Sequence, residues 1–173
     1  MKKFGIILAC ILLMSLTFIT GCIGTEKGTL TLKITDAPSD LNISKAIVTL
    51  SYVDVHIAAG GNNSTAEWVT VVNESQQFDL IKLENVTDIL GNTSLDIGIY
   101  NQIRLYVAEA LVTIDEIEYD LEIPSKSIKL VHQFIIEAQK TTTLILDFDI
   151  KESVHKTGSD RYILQPTIRV FEE

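Results

Sequence analysis

The sequence predicts an all-β domain, a single antiparallel β-sandwich of the Greek-key kind with at most one short helix, behind a signal peptide. Three observations predict it. Apolar residues recur at every second position in many short segments, those segments are rich in Val, Ile, Thr, Tyr and Phe, and turn residues separate them at regular intervals. A period of two sends successive side chains to opposite faces, and many short half-buried strands close most simply into a sandwich or barrel.

The elements follow in chain order. Residues 29–35 read Thr-Leu-Thr-Leu-Lys-Ile-Thr, which puts Leu30, Leu32 and Ile34 on one face. Over 46–57 the alternation puts Ile47, Val53, Val55 and Ile57 on one side. Residues 68–72, 78–83, 102–110, 111–114, 118–123, 127–131, 134–137, 142–150 and 163–171 carry the same β-branched and aromatic enrichment. Turn chemistry falls at Asp36-Ala37-Pro38-Ser39-Asp40, at 60–64, at Pro124-Ser125-Lys126, at Gln139-Lys140 and at 157–160. Only 83–90 has helical spacing, in Leu83, Val86, Ile89 and Leu90, with Gly91 placed to close it. No linker or repeat interrupts 29–173, which reads as one domain.

The first 28 residues read differently. Lys2 and Lys3 precede an apolar run from Phe4 to Phe18, and Ile19-Thr20-Gly21-Cys22 follows. A basic start, a short apolar run and small residues mark a secretory signal, too short to span a membrane comfortably. Ile-Thr-Gly-Cys also resembles a lipoprotein lipobox, so the expectation is a signal peptide over 1–21, a lipid-bearing Cys22, and a tether over 22–28 that reaches no more than about 20 Å; the alternative is an uncleaved N-terminal anchor helix with Cys22 incidental. Localisation would be the extracytoplasmic face of the cell membrane.

Charge and cysteine content agree with that location. The 173 residues hold 14 Lys and Arg against 23 Asp and Glu, a net charge of −9, with a pI near 4.8. Removal of Lys2 and Lys3 gives 12 − 23 = −11 for the mature chain and takes Cys10 with it. Such acidity argues against nucleic acid as a partner. A secreted domain without a second thiol has no internal disulfide and must be held by its core, which a chain of this length can build.

Six of the seven Asn residues begin Asn-X-Ser/Thr triplets: Asn42, Asn62, Asn63, Asn73, Asn85 and Asn92, with Asn101 the exception. Ser and Thr are roughly one residue in six, so chance supplies about one match among seven. The pattern predicts an N-glycosylated exterior with these positions in exposed loops, and combined with the lipobox it points to an archaeal envelope.

Several motifs resemble domain-of-unknown-function family 4382, whose members are secreted and often lipid-anchored proteins of archaea and bacteria. They are residues 35–40 after the first strand, Trp68, Phe78-Asp79-Leu80, Gly98 with Tyr100-Asn101-Gln102-Ile103-Arg104-Leu105, Ile123-Pro124-Ser125, residues 143–149, and residues 164–170. The resemblance implies a compact β-sandwich of the transthyretin-like kind and an extracytoplasmic location. It implies no activity and no functional residues.

The residues themselves offer few chemical constellations. Asp36, Asp40, Asp147 and Asp149 could gather at one end of the sandwich and hold Ca²⁺ through carboxylate oxygens; the competing reading is a turn cap and a solvated acidic face, with Arg104 and Arg169 as ion-pair partners. His56, His132 and His155 have no zinc-site spacing. Trp68, Tyr52, Tyr100, Tyr106, Tyr119 and Tyr162 would make a sugar-stacking platform only if they shared an exposed face, and most are expected in the core. No Gly-X-Ser-X-Gly elbow, His-Glu-X-X-His or phosphate loop is present. The reading is a non-catalytic binding or structural module whose partner is an envelope protein, a glycan or a cation; the alternative is an envelope hydrolase using a carboxylate pair.

Overall fold

Leu30, Leu32 and Ile34 turn to one side of the first strand and are fully buried, and the same two-residue period builds most of the molecule. The computed structural model describes residues 26–37, 42–58, 65–158 and 161–173. The strands are β1 (Lys27–Asp36), β2 (Ile43–Ile57), β3 (Glu67–Val72), β4 (Gln76–Asp79), β5 (Asp88–Asp96), β6 (Gly98–Ile114), β7 (Ile117–Glu122), β8 (Ser127–Ile136), β9 (Thr141–Phe148), β10 (Val154–Lys156), β11 (Tyr162–Leu164) and β12 (Ile168–Glu172). A 3₁₀ turn (Leu80–Leu83) and one helical turn, α1 (Ile150–Ser153), complete the described elements.

Two sheets face one another. The small sheet has the order β12-β9-β1-β5; the eight-stranded sheet runs β10-β11-β7-β6-β2-β3, with β4 paired to β2 and β8 paired to β6. The chain is an all-β sandwich. Pairing is antiparallel except at β1–β9 and β7–β11, which run parallel. Those exceptions have a topological cause: β9 returns to the small sheet only after the chain has built most of the large one, and such long crossovers are what parallel neighbours require.

The core lies between the sheets. Leu30, Leu32, Ile34, Leu90, Leu95, Leu144, Leu146 and Phe148 come from the small sheet and meet Val53, Val55, Ile57, Ile103, Leu105, Phe134 and Ile136 from the large one. Tyr100 is fully buried against Phe134, ring centroids 5.2 Å apart, and its hydroxyl donates to the Asp96 carbonyl at 3.0 Å. Burial, with the charges of Asp96 and Glu67, pushes the Tyr100 phenol up to about 12.

Long strands carry irregularities that reset which residues face inward. Ala46, Val48 and Leu50 face the core in the first half of β2; the pairing with β6 then shifts between Thr49 and Tyr52, and Val53, Val55 and Ile57 face it in the second half. Ile47 therefore lies on the opposite side from Val53, contrary to the simple alternation. One extra residue changes the face of everything after it. The segments 102–110 and 111–114 are one 17-residue strand, and 127–131 and 134–137 are one strand interrupted by a shift between Tyr100 and Gln102 of its partner. Residues 163–171 instead split into β11 and β12 around Gln165–Thr167, where Pro166 supplies no N–H for a ladder.

The helix expected over 83–90 does not form. Asn85, two residues past the last residue of the 3₁₀ turn, adopts φ 59°, and β5 begins at Asp88, with Ile89 largely exposed. Gly91 is thus a strand residue and not a helix terminator. A side chain there would bring its Cβ within 2.6 Å of Val72 Cγ2, so glycine lets β5 close against β3. Gly28 does the same for β1, where a Cβ would stand 2.2 Å from the Glu137 carbonyl oxygen.

Candidate functional site

Two regions hold the chemistry-bearing residues singled out by sequence, and they are organised in opposite ways. The first is the end of the sandwich where β1 and β9 finish side by side, Asp36 opposite Phe148. Asp36 continues the inward face of Leu30, Leu32 and Ile34 and is 3% exposed. Its Oδ1 accepts from the Ile150 N–H at 3.1 Å, while Oδ2 is buried without a hydrogen-bond partner. Burial pushes this carboxyl up to about 7; the Ile150 N–H opposes the shift, and the charges of Asp147, Asp149 and Glu84 add to it.

Asp147 points to the other face of the small sheet, because Phe148 takes the core position, and Asp149 follows the strand. Arg169 on β12 spans both, 3.7 Å from Asp147 and 3.4 Å from Asp149. Two carboxylates two residues apart repel unless bridged, and this guanidinium bridges them. Burial raises Asp147 and the Arg169 charge opposes that rise. Asp149 Oδ1 also accepts from the Glu152 N–H at 3.1 Å, capping α1. Asp40 lies outside the described residues, and among those described no three His, Cys, Asp or Glu side chains gather as a metal cage.

The second region is the outer face of the large sheet, where β3, β2, β6 and β8 lie in order. Their registers stack outward-facing residues into rungs. One rung runs Trp68, His56, Gln102, Val131; the next runs Thr70, Asp54, Arg104, Lys129; a third holds Tyr52, Tyr106 and Ser127. Rungs two residues apart stand about 7 Å from one another. The Arg104 guanidinium lies 4.0 Å from the centroid of the Trp68 ring and donates to the Tyr106 hydroxyl at 3.4 Å. Tyr52 stacks on Tyr106 with centroids 3.8 Å apart. His56 contacts the Trp68 ring at 4.8 Å and its Nδ1 is 2.8 Å from Asn101 Oδ1, while Thr70 donates to Asp54 at 2.7 Å. Trp68 and Tyr52 remain 37% and 38% exposed.

Three of the six aromatic candidates thus share an open face, Trp68, Tyr52 and Tyr106. Tyr100 is in the core, and Tyr119 pairs with Tyr162 at 4.8 Å on β7 and β11. Arg104, considered in sequence as a partner for the aspartates, belongs to this face instead. The spacing of two in Tyr52-X-Asp54-X-His56 and Arg104-X-Tyr106 carries the signal that each set shares a face; which strands lie next to each other is not written locally.

Farther along the large sheet, Ile47, Thr49, Gln77, Ala108, Glu109, Asp120 and Lys126 line an open groove of about 440 Å³. It holds two carboxylates, Glu109 and Asp120, but Asp36, the carboxyl raised to about 7, does not line it. His132 is on β8, facing the groove between β8 and β12, and His155 is on β10.

Among the sequon residues, Asn42, Asn73 and Asn85 are exposed and outside the strands. Asn92 is exposed but sits within β5, paired with Thr31 and donating to its Oγ1 at 3.0 Å, so the loop expectation fails there. The registers that build the small sheet put a polar surface at that strand position. Asn62, Asn63 and Cys22 lie outside the described residues. Within the described strands of the large sheet the single Asn is Asn101, the one without a sequon.

The family model described as a domain of unknown function, DUF4382, matches residues 27–166. The chain belongs to the DUF4382 family. The match covers both the aspartate end and the aromatic face of this DUF4382 domain, stopping before β12 and Arg169. Comparison with curated proteins and with solved structures gives no match for either.

Proposed function

We propose that this DUF4382 protein is a lipid-anchored, N-glycosylated module on the extracytoplasmic face of the membrane, and that it binds a glycan through the outer face of its large sheet. The observation that carries the reading is the ladder of Trp68, Arg104, Tyr106 and Tyr52. It combines exposed aromatic surface, suited to the apolar faces of sugar rings, with the donors and acceptors of Arg104, His56, Gln102 and Asp54, suited to hydroxyls. Cross-strand aromatic pairs also stabilise sheets, so function must be tested by binding. Trp68 is the single tryptophan of the chain and reports directly. Titration with oligosaccharides released from the cell envelope is expected to change its emission saturably, with affinity falling about tenfold in Tyr52→Ala, equivalent to ~1.4 kcal/mol of stacking. Unchanged emission across all envelope fractions rules the glycan out.

A hydrolase is the second reading, favoured only by the presence of Glu109 and Asp120 in one groove. Hydrolysis of an envelope polysaccharide that disappears in both Glu109→Gln and Asp120→Asn would replace the binding module with an enzyme. A Ca²⁺ ion on Asp36, Asp40, Asp147 and Asp149 is the weaker proposal, because Arg169, the Ile150 N–H and the Glu152 N–H already engage three of these carboxylates. Calcium at 100 times its Kd would add about 2.7 kcal/mol to native stability, so a melting temperature unmoved by millimolar calcium removes it.

A further inference from the structure

The end of the sandwich at which β1 begins carries exposed apolar side chains that the core does not use. Ile99, second in β6, and Ile135, next to last in β8, are cross-strand partners, 48% and 52% exposed. Val131, in the rung above, is 81% exposed. This rim is bound to the chain's entry into the domain: the Gln139 N–H donates to the Lys27 carbonyl at 2.9 Å, the Thr29 N–H to the Lys140 carbonyl at 2.8 Å, and the Ala58 N–H to the Ile99 carbonyl at 2.9 Å. Its two lysines are each paired, Lys27 with Asp96 at 3.5 Å and Lys140 with Glu137 at 2.7 Å.

We propose that this rim is the surface on which the domain rests against its own bilayer, with Ile99 and Ile135 seated at the boundary of headgroups and acyl chains. The inference rests on the reading of Cys22 as the lipid-bearing residue. Cys22 precedes Lys27 by five residues, a span of at most about 18 Å, so a lipid there holds this end of the sandwich, and not the opposite one, next to the membrane. Attachment makes the contact intramolecular. Two or three half-exposed aliphatic side chains, too few to recruit a free protein, suffice to orient one that is already held there. The lysines of the rim are neutralised by their partners and Glu26 and Glu67 add negative charge nearby, so the contact is apolar and gains nothing from anionic lipid. The strands then stand up from the membrane, and Asn62 and Asn63, which belong to the β2–β3 connection at this end, are the sequons that stay without a glycan. The rungs of Trp68, Arg104 and Tyr52 rise in that order above the bilayer, open sideways to the envelope.

The test uses the full chain, purified from membranes and reconstituted in vesicles of zwitterionic lipid with brominated acyl chains. In a Trp68→Phe background, one variant carries Ile135→Trp at the rim and the other Ile117→Trp, an equally exposed position at the β6–β7 turn on the far end. Ile99→Trp serves if Ile135→Trp melts lower than its parent. Expected are a blue-shifted rim emission quenched several-fold by the brominated lipid, no quenching at residue 117, and the same ratio when anionic lipid is added. Equal quenching at both positions, with intact mass showing lipid on Cys22, overturns the docking and leaves the anchor standing. An intact mass without lipid on Cys22 overturns the anchor, and the docking with it.

Discussion

The aspartate end and the aromatic face of this sandwich both gather charged and hydrogen-bonding side chains, yet they differ in what is left over. Among the described residues of the aspartate end, the carboxylates of Asp36, Asp147 and Asp149 are each engaged by the fold itself. Asp149 caps α1, Arg169 bridges Asp147 and Asp149, and Asp36 holds the first N–H of α1. On the aromatic face the contacts are among side chains, and the groups that make them still face solvent. Density of chemically capable residues therefore does not identify a binding surface. What separates the two regions is the capacity that remains after the fold has taken its share. The exception at the aspartate end is Asp36 Oδ2, buried without a partner, and it makes that end pH-sensitive.

Asp36 gives the largest expected effect. Between about pH 4 and 7 the folded carboxyl keeps a proton that the unfolded chain has lost, so the native state binds more protons and the free energy of unfolding falls as pH rises through that window. Above about pH 7 this contribution is level. The distance from the ordinary 3.8 to about 7 sets a ceiling of roughly 4 kcal/mol. Asp36→Asn is expected to lack this fall, visible as a difference in slope between denaturant midpoints of the two proteins from pH 4 to 8. Parallel slopes would show that Asp36 ionises normally and that the two regions do not differ in this way.

The aromatic face gives a middle-sized effect that sharpens the comparison from the other side. Removal of a fully buried aromatic such as Phe134 costs about 3–5 kcal/mol. Trp68→Ala, at a position more than one third exposed, is expected to cost well under that. A double-mutant cycle of Trp68→Ala and Arg104→Ala should return a coupling of about 0.5–1 kcal/mol, read from urea midpoints. A coupling near zero would mean that the guanidinium rests on the indole without energetic consequence.

The smallest effect belongs to Arg169, 57% exposed in its side chain. Arg169→Ala should destabilise by less than about 1 kcal/mol at low salt, and the difference should vanish near 1 M salt, where the screening length is about 3 Å. A loss that persists in high salt would instead point to packing of the arginine stem on β9.

The alternation of residues 29–35 is enough to predict β1, because one face of a strand needs only its own side chains to be recognised. The same holds for the turn at Pro124-Ser125-Lys126 and for the sandwich as a class. Other features depend on partners. β5 carries Gly91 and the exposed Ile89, so its own sequence reads as a helix end; only the close approach of Val72 explains the glycine. Ile47 faces away from Val53 because the β2–β6 register shifts between them, and a shift of one residue has no local signature. The joining of 102–110 with 111–114 is equally invisible, since each half of β6 pairs with a different neighbour.

The sites divide along the same line. Asp147 and Asp149 flanking Phe148 are legible as a same-side carboxylate pair from their spacing, and that this needs a bridge follows from Coulomb repulsion alone. That the bridge is Arg169 and not Arg104 was decided by β12 lying beside β9 and β6 lying beside β2. By itself, then, the sequence determined the strand-rich class, the inward face of each regular strand, the acidity and the positions of its sequons, because these depend on local periodicity and composition. Tertiary structure alone decided that Trp68, Arg104, Tyr106 and Tyr52 form one surface and that Asp36 is sealed under α1. Those outcomes depend on which distant strands become neighbours, and the long-range burial of apolar faces selects that neighbourhood for the whole chain at once.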